Sequence, residues 1–175
     1  AAKRHATESL LCRKPSGAPP AITQEQMNAA ISEVQQQTQE KSMEKAQAAE
    51  QVGQDFRQAY RQQEGVSETD SGILYRVLTP GTGGKPKVDD TVVVHYRGTL
   101  GDGTEFDSSV RRGQPATFSL GGIIAGWQEA LQLMQEGARW EVVIPPELAY
   151  GSNGAGGAIG PHETLIFEIE LIEVK

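Results

Sequence analysis

Hydrophobic and polar positions follow two different periods along this chain. Between Thr23 and Glu64 the apolar residues Met27, Ile31 and Val34, and later Val52, Phe56 and Tyr60, recur at helical spacing. Thr23 followed by Gln26 is a capping box that would open the helix, and Gly65 suits its C-terminus. From Gln35 to Gln51 the stripe thins to Thr38, Met43 and alanines. A helix that polar in its middle is expected to be an exposed spacer packed near its ends, a rod of roughly 60 Å at 1.5 Å per residue. Coiled-coil pairing is the sharper alternative, and the interrupted stripe argues against it. Gly53 alone interrupts the helix formers, at about 1 kcal/mol relative to alanine.

Beyond Gly65 the period changes to two. Ile73–Leu78, Thr91–Arg97, Thr104–Asp107, Ala116–Leu120, Arg139–Ile144 and Leu165–Ile172 read as strands, separated by Gly- and Pro-containing turns. The β-branched run Thr91-Val-Val-Val is expected to be central, and Gly101-Asp-Gly103 to turn it into a hairpin. Ile123, Trp127, Ala130, Leu131 and Met134 mark one face of a short helix stopped by Gly137. The expected fold class is α+β: a twisted antiparallel β-sheet wrapped on one short helix, preceded by a long N-terminal helix. The expected division is a flexible tail over 1–22, a helical stalk over 23–64 and a compact domain over 65–175.

Composition sharpens that division. Residues 1–64 hold 8 basic and 8 acidic side chains, whereas 65–175 hold 8 basic and 15 acidic ones, so the whole net charge of −7 sits in the second part. Such a balance argues against a nucleic-acid binder held by phosphate contacts. No apolar run approaches the roughly 20 residues of a membrane span. Leu10-Leu11 is too short for a signal-peptide core, so any export signal is expected to be already gone or never present. Cys12, the one cysteine, excludes an intrachain disulfide and a Cys-based metal centre. A lipoprotein reading of it wants a small preceding residue and meets Leu11, so an unreactive cysteine on a tail is expected. His5, His95 and His162 lack ligand spacing, so neither a metal nor a cofactor is expected.

Five segments carry a resemblance. Val93-Val-His-Tyr-Arg-Gly98, Asp102-Gly-Thr-Glu-Phe-Asp-Ser-Ser109, Ile123-Ile-Ala-Gly-Trp127, Leu148-Ala-Tyr-Gly151 and Pro161-His-Glu-Thr-Leu-Ile-Phe-Glu-Ile-Glu-Leu171 resemble the FKBP-type peptidyl-prolyl cis–trans isomerases in order and spacing. The approach through Gly53-Gln-Asp-Phe56, Glu64-Gly-Val66 and Ser71-Gly-Ile-Leu-Tyr75 is similar to the macrophage-infectivity-potentiator (Mip) branch. The resemblance implies a folding helper that accelerates rotation about Xaa-Pro bonds, with proline-containing polypeptides as substrates and macrolides such as rapamycin as inhibitors. It also implies virulence association and a periplasmic or outer-surface location, with cytoplasmic residence as the alternative. Family dimers form through short helices ahead of the long one. Only a polar tail precedes Thr23 here, so a monomer or weak dimer is expected.

The chemistry asks for little. Rotation about Xaa-Pro needs the amide to lose resonance, against a barrier of roughly 18–20 kcal/mol for a peptide bond, with no nucleophile, metal or proton transfer. A dry apolar cradle suits the twisted imide, and a few fixed donors hold its flanking carbonyls. The resemblance implies Asp107, Tyr150, Phe106 and Tyr96 as the catalytic group. It gives Phe118, Ile123, Ile124, Trp127, Ile159 and Phe167 as the binding surface, with Trp127 as floor and the Ile124 amide and Tyr150 hydroxyl as donors. The chain departs from the family's habit at Ala116, Ala155 and Gly160-Pro161, which bears on substrate preference. Taken alone, such aromatic residues serve as core in most proteins. The competing class is a non-catalytic FKBP-like chaperone or binding module. A hydrolase built from Ser108 or Ser109, His95 or His162, and Asp107 lacks a nucleophile elbow.

Overall fold

The computed structural model describes residues 21–175; the segment 1–20, with Cys12 and most of the expected tail, lies outside the described residues. The chain divides into two compact units, one ending at Gln39 and the other running from Glu40 to Lys175. Helix α1 (Gln24–Arg61) opens as its sequence requires. The Thr23 amide donates to Gln26 Oε1 at 3.2 Å and the Gln26 amide to Thr23 Oγ1 at 3.3 Å, both halves of the capping box. Past Arg61 the chain turns through Gly65, whose φ of 81° is costly for other residues.

The second unit is built on one seven-stranded antiparallel sheet: β1 (Val66–Glu68), β2 (Leu74–Thr79), β3 (Thr91–Leu100), β4 (Glu105–Ser108), β5 (Ala116–Ser119), β6 (Arg139–Ile144) and β7 (Leu165–Val174). Their order is β1-β2-β6-β7-β3-β4, with β5 also paired to β3. The β-branched strand β3 is interior, bonded to β7 along its length. Two helices interrupt the strands, the single turn α2 (Ser109–Arg112) and α3 (Ala125–Leu133).

Alternation along each strand divides the side chains between two faces. On one, Ile73, Val92, Val94, Trp140, Val142, Ile144, Leu165, Ile169 and Leu171 bury themselves against α3 through Trp127, Ala130 and Leu131. On the other, Leu74, Val143 and Ile166 meet Phe56 and Tyr60 of α1. Residues 21–44 are exposed throughout, including Met27, Ile31 and Val34, and burial begins only around Ala46.

Gly53 also takes a different meaning. An added Cβ there would stand 2.2 Å from Thr164 Oγ1, so the glycine lets α1 lie directly on the start of β7. The Tyr60 hydroxyl then donates to Glu141 Oε1 at 2.7 Å, and Arg76 reaches the same oxygen at 3.1 Å. Burial first, and that carboxylate second, push the Tyr60 hydroxyl well above the usual tyrosine range.

Candidate active site

A cavity of about 380 Å³ opens between α3 and the β3–β5 corner, lined by Tyr96, Asp107, Phe118, Gly122, Ile123, Ile124, Trp127 and Tyr150. Its floor is Trp127, 5% exposed. Tyr96, Phe118 and Phe167 each stand nearly perpendicular to the indole, with centroids 5.2, 5.4 and 5.1 Å from it. Such edge-to-face packing fixes the floor beyond what area burial alone supplies. The indole Nε1 is buried and meets no acceptor among the described residues.

Local sequence explains the polar wall. Asp107 lies on β4 opposite Gly98. The next residue, Ser108, caps α2 by accepting from the Arg111 amide at 3.2 Å, and Gly113, at φ 71°, ends that turn. One helical turn thus brings Arg112 back onto Asp107. The Tyr96 hydroxyl and Arg112 both donate to the carboxylate, the Ser108 amide donates to its Oδ1 at 2.8 Å, and Arg112 Nη2 donates to Tyr96 Oη at 3.0 Å. Partial burial pushes the Asp107 carboxyl up, yet these donors outweigh it and hold the group below the usual carboxylate range. Burial, then the bond to Asp107, raises the Tyr96 hydroxyl.

Two donors face the cavity from its other side. Ile124 precedes α3 and its carbonyl accepts from the Trp127 and Gln128 amides, while its own amide donates to no group among the described residues. Tyr150 sits between two single turns of 3₁₀ helix and is 39% exposed.

Seven residues expected at the site line this cavity: Tyr96, Asp107, Phe118, Ile123, Ile124, Trp127 and Tyr150. Phe106, Phe167 and Ile159 stand behind it. Phe106 packs edge-on against Phe167 at 5.6 Å, and Phe167 supports the floor. Ile159 is buried in the core, its amide and carbonyl bonded to Ala155 across a small turn. Sequence reasoning missed Arg112, although Ser108 and Gly113 bracket a four-residue helix that would return it. It also missed why Gly98 must be glycine: a Cβ there would stand 2.5 Å from the Phe106 ring.

Other chemistries find no support. Ser109 Oγ lies 3.1 Å from His95 Nδ1, but Ser109 is wholly buried and its hydroxyl serves the Tyr96 backbone. A second cleft of about 420 Å³ is lined by His95, Arg97, Glu105, Arg111, Arg139 and Glu168, charges that largely pair with one another. No cluster of metal-ligating side chains occurs among the described residues.

A sheet folded over one helix holds an apolar, aromatic cradle whose polar lining is made by Asp107, Tyr96 and Tyr150. Comparison with known proteins supplies the family. The family model described as FKBP-type peptidyl-prolyl cis-trans isomerase matches residues 83–172, and the domain amino terminal to such isomerases matches 13–77. The chain is 44% identical over 158 residues to the FKBP-type 22 kDa peptidyl-prolyl cis-trans isomerase of Escherichia coli, covering 90% of this chain and 77% of that one. It is 55% identical over 111 residues to the outer membrane protein MIP of Legionella longbeachae, covering 63% of this chain and about half (48%) of that relative. The crystal structure of FkpA from Escherichia coli superposes with a TM-score of 0.81 at 40% identity, covering 89% of this chain and 74% of that one. This chain belongs to the FKBP-type peptidyl-prolyl cis–trans isomerase family.

Proposed function

We propose that the cavity floored by Trp127 is the isomerase site, and that it accepts a proline ring while the preceding amide twists. The observation that carries the reading is the pairing of an aromatic, largely apolar floor with two donors, the Ile124 amide and the Tyr150 hydroxyl, both free among the described residues. A twisted imide has less charge separation than a planar amide, so an apolar cradle favours the transition state over the ground state. The donors hold the flanking carbonyls while the bond turns. Asp107 is fixed by Tyr96, Arg112 and the Ser108 amide. It presents a constant negative wall and keeps the Tyr96 ring in place against Trp127.

Substrates are proline-containing polypeptides, and the protein acts as a folding helper. Export to the periplasm or outer surface and a part in virulence are proposed from the resemblance to the Mip branch, one relative of which is named an outer membrane protein. A protease-coupled assay on short Xaa-Pro peptides tests the activity. Rapamycin should quench or shift Trp127 fluorescence saturably, with Trp127→Phe isolating the Trp140 signal. A flat titration together with full activity in its presence counts against this cavity. Self-association is proposed to be weak. Met27, Ile31 and Val34 form a short exposed stripe, whereas a stable specific interface needs roughly 1,000 Å² or more. Sedimentation equilibrium at micromolar concentration decides, and a tight dimer refutes it.

A further inference from the structure

The loop behind Tyr150 carries a reactive pair that the isomerase reading does not use. Asn153 is exposed and its side chain makes no hydrogen bond among the described residues. Its neighbour is Gly154, which has no side chain to shield the backbone nitrogen. The Gly154 amide likewise donates to nothing among the described residues, whereas the Asn153 amide is tied to the Tyr150 carbonyl at 3.3 Å. A free backbone nitrogen beside an exposed, unbonded carboxamide is the arrangement that intramolecular cyclisation requires.

We propose that Asn153 is a spontaneous deamidation site, which converts a neutral amide on the loop behind Tyr150 into a carboxylate. The Gly154 nitrogen attacks Asn153 Cγ, a new N–C bond forms as that nitrogen's proton passes to water, and the side-chain nitrogen leaves as ammonia. Water then opens the five-membered imide at either carbonyl. The products are aspartate, or isoaspartate with one extra methylene in the main chain. The balance is one water consumed and one ammonia released, with no redox step.

The chain supplies two internal contrasts. Asn28, the other asparagine, precedes Ala29 inside α1, where the backbone amides are engaged in the helix. Asp102-Gly103 could cyclise in the same way. There, however, the Gly103 amide donates to the Leu100 carbonyl at 2.9 Å, and Asp102 Oδ1 accepts from the Thr104 amide at 2.8 Å. Both the nucleophile and the carbonyl partner are occupied.

The test is ageing of the folded full chain at mildly alkaline pH, followed by tryptic mapping. The peptide 140–175 contains Asn153 as its one asparagine and no glutamine, so any deamidation in it is assigned at once. Expected is progressive loss of the unmodified 140–175 peptide with ammonia release and isoaspartate, while Asn28 stays intact and Asn153→Gln is protected. An unchanged 140–175 peptide, after ageing that converts a free peptide of the same sequence, overturns the proposal. So does conversion of Asn28 at the same rate. A second arm rests on the isomerase reading. Aged protein and Asn153→Asp should both lose kcat/KM for Glu-Pro peptides several-fold relative to Lys-Pro peptides. An unchanged ratio alongside a verified mass change refutes the effect on the rim. Absence of isomerase activity in fresh protein would count against the site reading and leave the mapping result standing.

Discussion

At the scale of single residues, the arrangement around Asp107 turns on what holds a carboxylate beside an apolar cradle. With Tyr96, Arg112 and the Ser108 amide as donors, ionised Asp107 is well solvated by the protein itself. Replacing it with alanine should lower kcat/KM about tenfold, on the order of one charge-assisted hydrogen bond, and leave the fold intact because the side chain is 41% exposed. Full activity in Asp107→Ala, measured by the protease-coupled assay, would mean the site is elsewhere. Arg112→Ala should cost less, and Arg112→Lys should recover part of the loss. Tyr150→Phe removes one neutral bond, roughly 0.5–1.5 kcal/mol. The pH sign follows from the lowered Asp107 value. Its stabilising contribution is present above the unfolded carboxylate range of about 3.9 and fades as pH falls through the lower folded value. Acid titrations of stability should therefore be flatter in Asp107→Asn.

At the scale of elements, the helix–sheet contact made by α1 depends on one missing methyl group. Alanine in place of a helical glycine ordinarily stabilises by roughly 0.5–1 kcal/mol. At Gly53 the added Cβ would meet Thr164 Oγ1 at 2.2 Å and Thr164 Cβ at 2.9 Å, and overpacking of that kind costs about 1–3 kcal/mol. The clash wins, so Gly53→Ala should lower Tm. The double variant Gly53→Ala/Thr164→Ala should recover most of it, since Thr164 Oγ1 has no partner to lose. A Gly53→Ala protein more stable than wild type would sink the argument.

Much at this scale was legible in the chain. Strand β6 runs over the residues alternation marks, because Trp140, Val142 and Ile144 all turn to one core. The capping box marked the start of α1. What escaped notice was non-local or too short for a period. Gly53 looks like a helix defect until the distant Thr164 is placed against it. The four residues of α2 hide Arg112. The stripe Met27, Ile31, Val34 has the right spacing yet covers nothing in the described residues, since periodicity reveals an apolar face and not its partner.

At the scale of the molecule, the sheet separates two tasks. One face, with α3, builds the cavity; the other is covered by the C-terminal part of α1 through Phe56, Tyr60, Leu74, Val143 and Ile166. Every cavity residue lies after Gly65, and the described residues 21–39 are all exposed. Removing residues 1–39 should leave kcat/KM and Tm unchanged, because the unit from Glu40 onward is compact by itself. Removing residues 1–61 should behave differently. It strips the cover from Leu74 and Val143, each fully buried, and exposing such a side chain costs about 1.5–3 kcal/mol. It also takes away Tyr60, whose raised hydroxyl gives the cover its own pH signature. Unfolded tyrosine loses its proton near pH 10, whereas folded Tyr60 keeps it. Stability from this group is therefore whole below about pH 10 and is lost as pH climbs towards the higher folded value. Alkaline unfolding curves for the 40–175 protein and its Tyr60→Phe variant should converge as pH rises. Parallel curves would mean that the hydroxyl bonded to Glu141 does not differ from one in water.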